Sequence, residues 1–105
     1  MLDISRGEGG SGIPVTLSRQ SSDGSWEPIA QTPTGANGRA EDFGDHDALN
    51  AGTYLLSFDM TAYDGSQSES FFPVITIVFV VAEDDGTYHV PVLVSPYGYS
   101  TYRGN

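Results

Sequence analysis

Glycine and proline divide the chain into short segments, and this spacing restricts the fold more than any other feature of the sequence. The 105 residues include 13 glycines and 6 prolines, and no stretch between them keeps apolar residues at the 3.6-residue period of an amphipathic helix. The segments are instead rich in Val, Ile, Thr, Tyr and Phe, which favour β-strands. The pattern therefore predicts an all-β fold, an antiparallel β-sandwich, in a single domain over residues 1–105.

The segments between the glycines and prolines predict eight strands and one short helical turn at Thr61–Asp64. The predicted strands are Leu2–Ser5, Val15–Arg19, Trp26–Thr32, Arg39–Asp42, Gly52–Asp59, Val74–Val81, Thr87–Ser95 and Tyr99–Arg103. The predicted turns are Gly7–Gly12, Ser21–Gly24, Gly35–Gly38, Asp84–Gly86 and Ser95–Gly98. Neither an internal repeat nor a linker is visible in the sequence, which again favours one domain.

Charge and residue content exclude several classes of protein. Fourteen acidic residues stand against four arginines and no lysine, so the formal net charge is −10. Nucleic acids and anionic membranes are bound by clustered cations, and we expect neither as a partner.

There is no cysteine, so thiolate catalysis and disulfides are excluded. The longest apolar run, Phe71–Ala82, is shorter than the roughly 20 residues of a membrane-spanning helix. No signal-peptide pattern is visible, so the expected location is cytoplasmic.

Alternation in the segment Thr87–Ser95 predicts which side chains face the core. Successive side chains of a strand point to opposite faces, so the three valines at positions 90, 92 and 94 share one face, which we assign to the core. His89 then points away from that core, towards solvent or a neighbouring subunit. Pro91 has no backbone N–H, so the hydrogen-bond ladder is interrupted beside it.

The C-terminal run of residues 88–104, YHVPVLVSPYGYSTYRG, resembles the signature of the 5-hydroxyisourate hydrolases. Its SPYGYST part is also similar to transthyretin, whereas the HVP and YRG parts resemble the hydrolase branch. Other segments resemble the family in the same order along the chain: Leu2–Gly7, Gly12–Leu17, Asn37–Arg39, Phe58–Asp59, Ala62–Tyr63 and Phe71–Pro73. The resemblance thus extends over almost the whole chain.

The resemblance implies a fold, an assembly and a reaction. The fold would be a transthyretin-like (prealbumin-like) two-sheet β-sandwich of about eight strands with one short helical turn. The assembly would be a homotetramer, a dimer of dimers, with active sites in a channel between the dimers. The reaction would be hydrolysis of 5-hydroxyisourate, a cyclic amide, in urate catabolism. It would need no metal and no other cofactor.

The resemblance also assigns roles to individual residues. His89 and Arg39 would be catalytic, and the C-terminal Tyr102, Arg103, Gly104 and Asn105 would bind substrate. Histidine suits the deprotonation of water, and the planar guanidinium of arginine offers paired donors to oxygen atoms. Two positions depart from the family pattern. Asn105 stands where the family has serine, and the family's first histidine lies two residues before the Leu-Asp pair, at a position before Met1 in this numbering.

Simpler interpretations stay open for each candidate. His89 could be an exposed or interfacial strand residue, Arg39 a charge beside a hairpin, and Arg103 part of a surface salt bridge. His46 lies in the acidic segment Glu41–Asp47, for which we expect a solvated loop rather than a metal site. For the whole chain, a catalytically silent transthyretin-like protein that binds a small aromatic or purine-like ligand is the alternative to the hydrolase. A variant used as a scaffold is a third possibility.

Overall fold

The computed structural model describes residues 1–40, 49–63, 71–82 and 88–104. Two four-stranded sheets account for most of these residues, which confirms the predicted all-β sandwich of two sheets. The strands are β1 (Leu2–Asp3), β2 (Glu8–Gly9), β3 (Pro14–Gln20), β4 (Trp26–Pro33), β5 (Gly52–Asp59), β6 (Val74–Val81), β7 (Val92–Ser95) and β8 (Gly98–Thr101). A 3-10 turn at Met60–Ala62 follows β5.

The order of strands brings the two ends of the chain together in one sheet. The first sheet has the order β2-β1-β7-β8, in which β1 runs parallel to β7 and the other neighbours are antiparallel. The second sheet has the order β4-β3-β5-β6 and is antiparallel throughout. As a result, the N-terminal residues lie beside the C-terminal segment, and β6 and β8 form sheet edges.

The core lies between the inner faces of the two sheets. Val92 and Val94 of β7 are buried against β3, β5 and β6, as the alternation predicts. The main buried cluster consists of Ile13, Val15, Phe58, Met60, Ile75, Ile77, Val92 and Val94. A second cluster, formed by Leu17, Leu49, Tyr54 and Val81, continues the core towards the other end. In the described part of the chain, no helix is long and apolar enough to cross a membrane.

Four predicted elements differ from the structure near the chain ends. The predicted strand Leu2–Ser5 ends at Asp3, because the chain turns at residues 4–7. The strand β2 occupies part of the predicted turn Gly7–Gly12, where it pairs with β1. Its two residues are too few to show an alternating pattern. The predicted strand Thr87–Ser95 is shortened to β7, because Pro91 cannot donate to the ladder. The predicted Tyr99–Arg103 strand begins one residue earlier and ends at Thr101.

Two further differences lie in the middle of the chain. Arg39 and Ala40 are not part of a strand, and the rest of the predicted strand Arg39–Asp42 lies outside the described residues. The helical turn begins at Met60 rather than Thr61, because Asp59 caps it by accepting a hydrogen bond from the Thr61 N–H at 3.1 Å. The predicted turn Asp84–Gly86 also lies outside the described residues.

Candidate active site

A cavity of about 490 Å³ lies where the N-terminal strand, the turn before residue 40 and the C-terminal segment meet. This volume is typical of a site for a small organic molecule. The residues that line it are Met1, Leu2, Gly9, Val15, Leu17, Asn37, Gly38, Arg39, Ala40, Leu49, Leu56, Phe58, Phe79, Tyr88, His89, Val90, Pro91, Val92, Leu93 and Tyr102. Among these described residues there is a guanidinium, an imidazole, an amide and two phenols, but no carboxylate.

The cavity brings together three of the residues predicted from the sequence. Arg39, His89 and Tyr102 all line it, although they are up to 63 residues apart in the chain. Arg103 and Gly104 lie beside this group without lining the cavity. Asn105, like His46, lies outside the described residues.

His89 is held by the C-terminal segment, which folds back along it. The register of β7 and β8 continues beyond the two strands, so His89 forms an isolated antiparallel bridge with Gly104. In this bridge the Gly104 N–H donates to the His89 carbonyl at 2.8 Å. Nearby, the Thr101 hydroxyl donates to the Pro91 carbonyl at 2.7 Å. The His89 side chain is exposed, as expected for the face opposite the valines.

Arg39 is placed by a tight turn that the sequence Gly35-Ala36-Asn37-Gly38 forms. The Gly35 N–H donates to the Arg39 carbonyl at 2.8 Å, and the Asn37 side chain accepts from the Arg39 N–H at 2.9 Å. Gly38 has a φ of 80°, in the left-handed region that favours glycine. A Cβ there would also collide with the Met1 carbonyl and the Gly9 backbone, so both conformation and space require glycine.

The positive charge of Arg39 influences the neighbouring N-terminal strand. The Met1 amino group donates a hydrogen bond to the Gly38 carbonyl. Burial, and secondly the charge of the Arg39 guanidinium, lower the pKa of this amino group below its usual value. Burial thus disfavours the charged form of this amino group, and the nearby Arg39 guanidinium adds a smaller repulsion.

Arg103 and Tyr102 lie on opposite faces of the C-terminal segment. The continued register sets Tyr102 opposite Pro91 and Arg103 opposite Val90, so the two side chains alternate as in a strand. The Arg103 guanidinium lies over the ring of Tyr88, with its central carbon 4.9 Å from the ring centroid. This is a cation–π contact. Tyr88 in turn packs against Phe79 of β6.

Sequence reasoning did not assign a role to several residues that line the cavity. Tyr88 belongs to the C-terminal signature, but nothing in its pattern indicated that it would support Arg103. The sequence predicts a strand for Leu2, and only the parallel pairing of β1 with β7, which sets it opposite Leu93, brings it to the site. Asn37, in a predicted turn, both shapes that turn and lines the cavity.

The two-sheet sandwich thus has a cavity lined by an arginine, a histidine and a tyrosine, which is a candidate site for a small molecule. Residues 1–104 match the HIUase/Transthyretin family, and the chain belongs to that family. It is 34% identical over 110 residues to a 5-hydroxyisourate hydrolase of Deinococcus radiodurans, with all of this chain and 92% of the relative covered.

Two other comparisons extend the range of similar proteins. The chain is 37% identical over 118 residues to the uric acid degradation bifunctional protein TTL of Arabidopsis thaliana, of which it spans only 36% while being covered in full. Its fold is similar to that of sea bream transthyretin in complex with thyroxine, with a TM-score of 0.86 and 30% identity. That match covers 98% of this chain and 89% of the transthyretin chain.

Proposed function

We propose that this protein hydrolyses 5-hydroxyisourate to 2-oxo-4-hydroxy-4-carboxy-5-ureidoimidazoline in urate degradation. The observation that carries the proposal is the convergence of Arg39, His89 and Tyr102 on one cavity. A related protein that is named a 5-hydroxyisourate hydrolase supports it over the full length of this chain. Neither the reaction nor the residues proposed for it require a metal or another cofactor.

In the proposed mechanism, water attacks a ring carbonyl of the substrate while His89 accepts one of its protons. The attack forms a C–O bond and leaves negative charge on the former carbonyl oxygen. The Arg39 guanidinium stabilises this oxyanion, since its donors carry a full positive charge. The ring C–N bond then breaks, and the nitrogen takes up the proton held by His89. As that bond breaks, the oxyanion re-forms the C=O bond and a carboxylic acid results. This acid loses its remaining proton to solvent, so the product carries a carboxylate and an opened six-membered ring.

Substrate binding is assigned to the C-terminal residues. The Tyr102 phenol lines the cavity and can donate a hydrogen bond to a ring oxygen or accept one from a ring N–H. Arg103 and Asn105 remain proposed substrate-binding residues. The cavity lining also suits such a substrate, because its described polar groups are positive or neutral and the substrate is rich in carbonyl oxygens.

The proposal includes a homotetramer, a dimer of dimers, in the cytoplasm. Exposed apolar side chains support association. Tyr97 and Tyr99 lie in the β7–β8 hairpin, and Leu2 and Ile4 lie in β1 and in the turn that follows it. Tyr97 is 76% exposed in the single chain. Apolar surface of this kind is typical of subunit interfaces.

A catalytically silent carrier is the second candidate. The observation in its favour is the similarity to sea bream transthyretin in complex with thyroxine. The largely apolar lining of the cavity, with Leu2, Val15 and Leu93 among its members, would also suit an aromatic ligand.

Progress curves and binding measurements on the same sample separate the two candidates. Freshly made 5-hydroxyisourate is mixed with the protein, and its ultraviolet absorbance is followed against the spontaneous decay. We expect decay that accelerates in proportion to protein concentration. The carrier would be supported, and the hydrolase contradicted, by two results together. An aromatic or purine-like ligand would bind saturably in equilibrium dialysis, and 5-hydroxyisourate would decay at the spontaneous rate.

A further inference from the structure

Gly104 lies directly against the imidazole of His89. A Cβ atom placed on Gly104 would lie 2.8 Å from the Cγ of His89, closer still to its Nδ1, and 3.1 Å from the Cγ of Pro91. These distances are shorter than van der Waals contact between such atoms. The space beside the glycine is therefore filled by the base of the histidine ring and by the proline ring.

The neighbouring hydrogen bonds prevent Gly104 from moving away from the ring. Its own N–H donates to the carbonyl of His89 at 2.8 Å, and three residues earlier the Thr101 hydroxyl donates to the carbonyl of Pro91 at 2.7 Å. Any side chain at position 104 would therefore have to turn the imidazole to another rotamer or break the bridge. The atoms that it would meet, Cγ and Nδ1, lie at the base of the ring, where a small adjustment cannot clear them.

We propose that Gly104 is a positioning residue, which sets the orientation of the His89 imidazole by packing its bare Cα against the ring. The packing of Gly104 on the imidazole does not depend on the proposed function; only the expected effect on the rate rests on it. It assigns Gly104 a role other than contact with substrate. A general base must lie within hydrogen-bond reach of the water that it deprotonates, and a displacement of about 1 Å can cost about 100-fold in rate.

The kinetic test compares Gly104→Ala with Gly98→Ala. Gly98 lies in the same sheet, and a Cβ there would meet only the Ser95 hydroxyl, at an ordinary 3.7 Å. We expect Gly104→Ala to lower kcat about 10- to 100-fold with little change in KM, and to change the pH profile of kcat. Gly98→Ala should keep wild-type kinetics. A rise in KM alone in Gly104→Ala would instead indicate a substrate contact and overturn the proposal.

A second measurement needs neither activity nor the alanine variant. With His46→Gln as background, the single remaining imidazole gives one set of carbon-bound proton signals. In the otherwise unchanged protein, these signals should show nuclear Overhauser effects to the Gly104 α-protons. In Gly104→Ala they should shift, while in Gly98→Ala they should not. Absent Overhauser effects, or unshifted imidazole signals in a folded Gly104→Ala protein, would overturn the proposal.

These two measurements also distinguish a failure of the Gly104 proposal from a failure of the proposed function. If the wild-type protein does not hydrolyse 5-hydroxyisourate, the proposed function fails, and the Overhauser measurement still decides where the imidazole lies. If Gly104→Ala does not fold, the same measurement on the protein with glycine at 104 decides it.

Discussion

The Tyr63 hydroxyl donates a 2.7 Å hydrogen bond to the Asp3 carboxylate, joining two residues that are 60 positions apart. Asp3 is only 3% exposed, and its other oxygen accepts from the N–H and the hydroxyl of Ser5. Burial tends to raise the pKa of this carboxyl, but the hydrogen bonds from Ser5 and Tyr63 outweigh it, and the pKa lies below its usual value. The pair fixes the strand β1, whose Leu2 lines the cavity.

Removal of this hydrogen bond should destabilise the protein in a pH-dependent way. We expect Tyr63→Phe to lower the free energy of unfolding by about 1.5–3 kcal/mol at pH 7, since the acceptor is a charged, buried group. Because the pKa of Asp3 is lowered in the folded state, the stability from its ionised form is present above about pH 4 and is lost as the pH falls through the folded-state pKa. The difference between wild type and Tyr63→Phe should therefore shrink in acid.

Urea unfolding at fixed protein concentration, at pH 7 and near pH 3, checks this prediction. Tyr97→Phe is the matched control, because it removes the same hydroxyl from a side chain that is 76% exposed. Equal losses in the two variants at pH 7, or a Tyr63→Phe loss that does not change with pH, would contradict the role given to the Asp3–Tyr63 pair.

Much of the fold is predictable from local sequence pattern. The strands β5 and β6 begin and end where predicted, because they are rich in residues that favour strands and glycine and proline mark where they begin. The outward direction of His89 followed from the same rule, applied to the three valines around it.

What could not be predicted depends on contacts between distant parts of the chain. The two-residue strand β2 exists only because β1 pairs with it, and its own residues carry no strand signal. The packing of Gly104 on His89 and the stacking of Arg103 on Tyr88 depend on how the C-terminal segment folds back, which no local pattern encodes. The Asp3–Tyr63 bond likewise needs the complete sandwich.

Arg39→Ala should both raise KM and lower kcat, because the guanidinium is proposed to contact a carbonyl oxygen before and during the attack. The loss of a charged hydrogen bond, about 1.5–3 kcal/mol, corresponds to roughly a 10- to 100-fold fall in kcat/KM. Gln31→Glu makes the same change in net charge at an exposed position of strand β4 and serves as the control. Equal effects of both substitutions would mean that overall charge, and not contact, determines the rate.

Arg103→Ala should raise KM and lower kcat, but both changes should be smaller than in Arg39→Ala. The reason is that the Arg103 guanidinium stacks on Tyr88 and does not line the cavity. Loss of the cation–π contact should also cost about 0.5–1 kcal/mol of stability. Steady-state kinetics and thermal unfolding of Arg39→Ala and Arg103→Ala side by side measure both effects. An Arg103→Ala effect on kcat/KM as large as that of Arg39→Ala would contradict this order of effects.

The proposed tetramer should depend on salt. Each chain carries a formal charge of −10, so four chains repel one another strongly when the charges are poorly screened. Light scattering should give the mass of a tetramer at moderate to high salt, and a lower average mass as the salt is removed. A stable monomer at micromolar concentration in high salt would contradict the assembly.

The initial rate of 5-hydroxyisourate disappearance in wild type and in His89→Ala tests the proposed function most directly. We expect the wild-type rate to exceed the spontaneous rate in proportion to protein concentration. His89→Ala should lower kcat about 10²- to 10⁴-fold and remain folded, because the side chain is exposed, while His46→Ala keeps the wild-type kcat. A wild-type rate equal to spontaneous decay, or a folded His89→Ala protein with wild-type kcat/KM, would contradict the account.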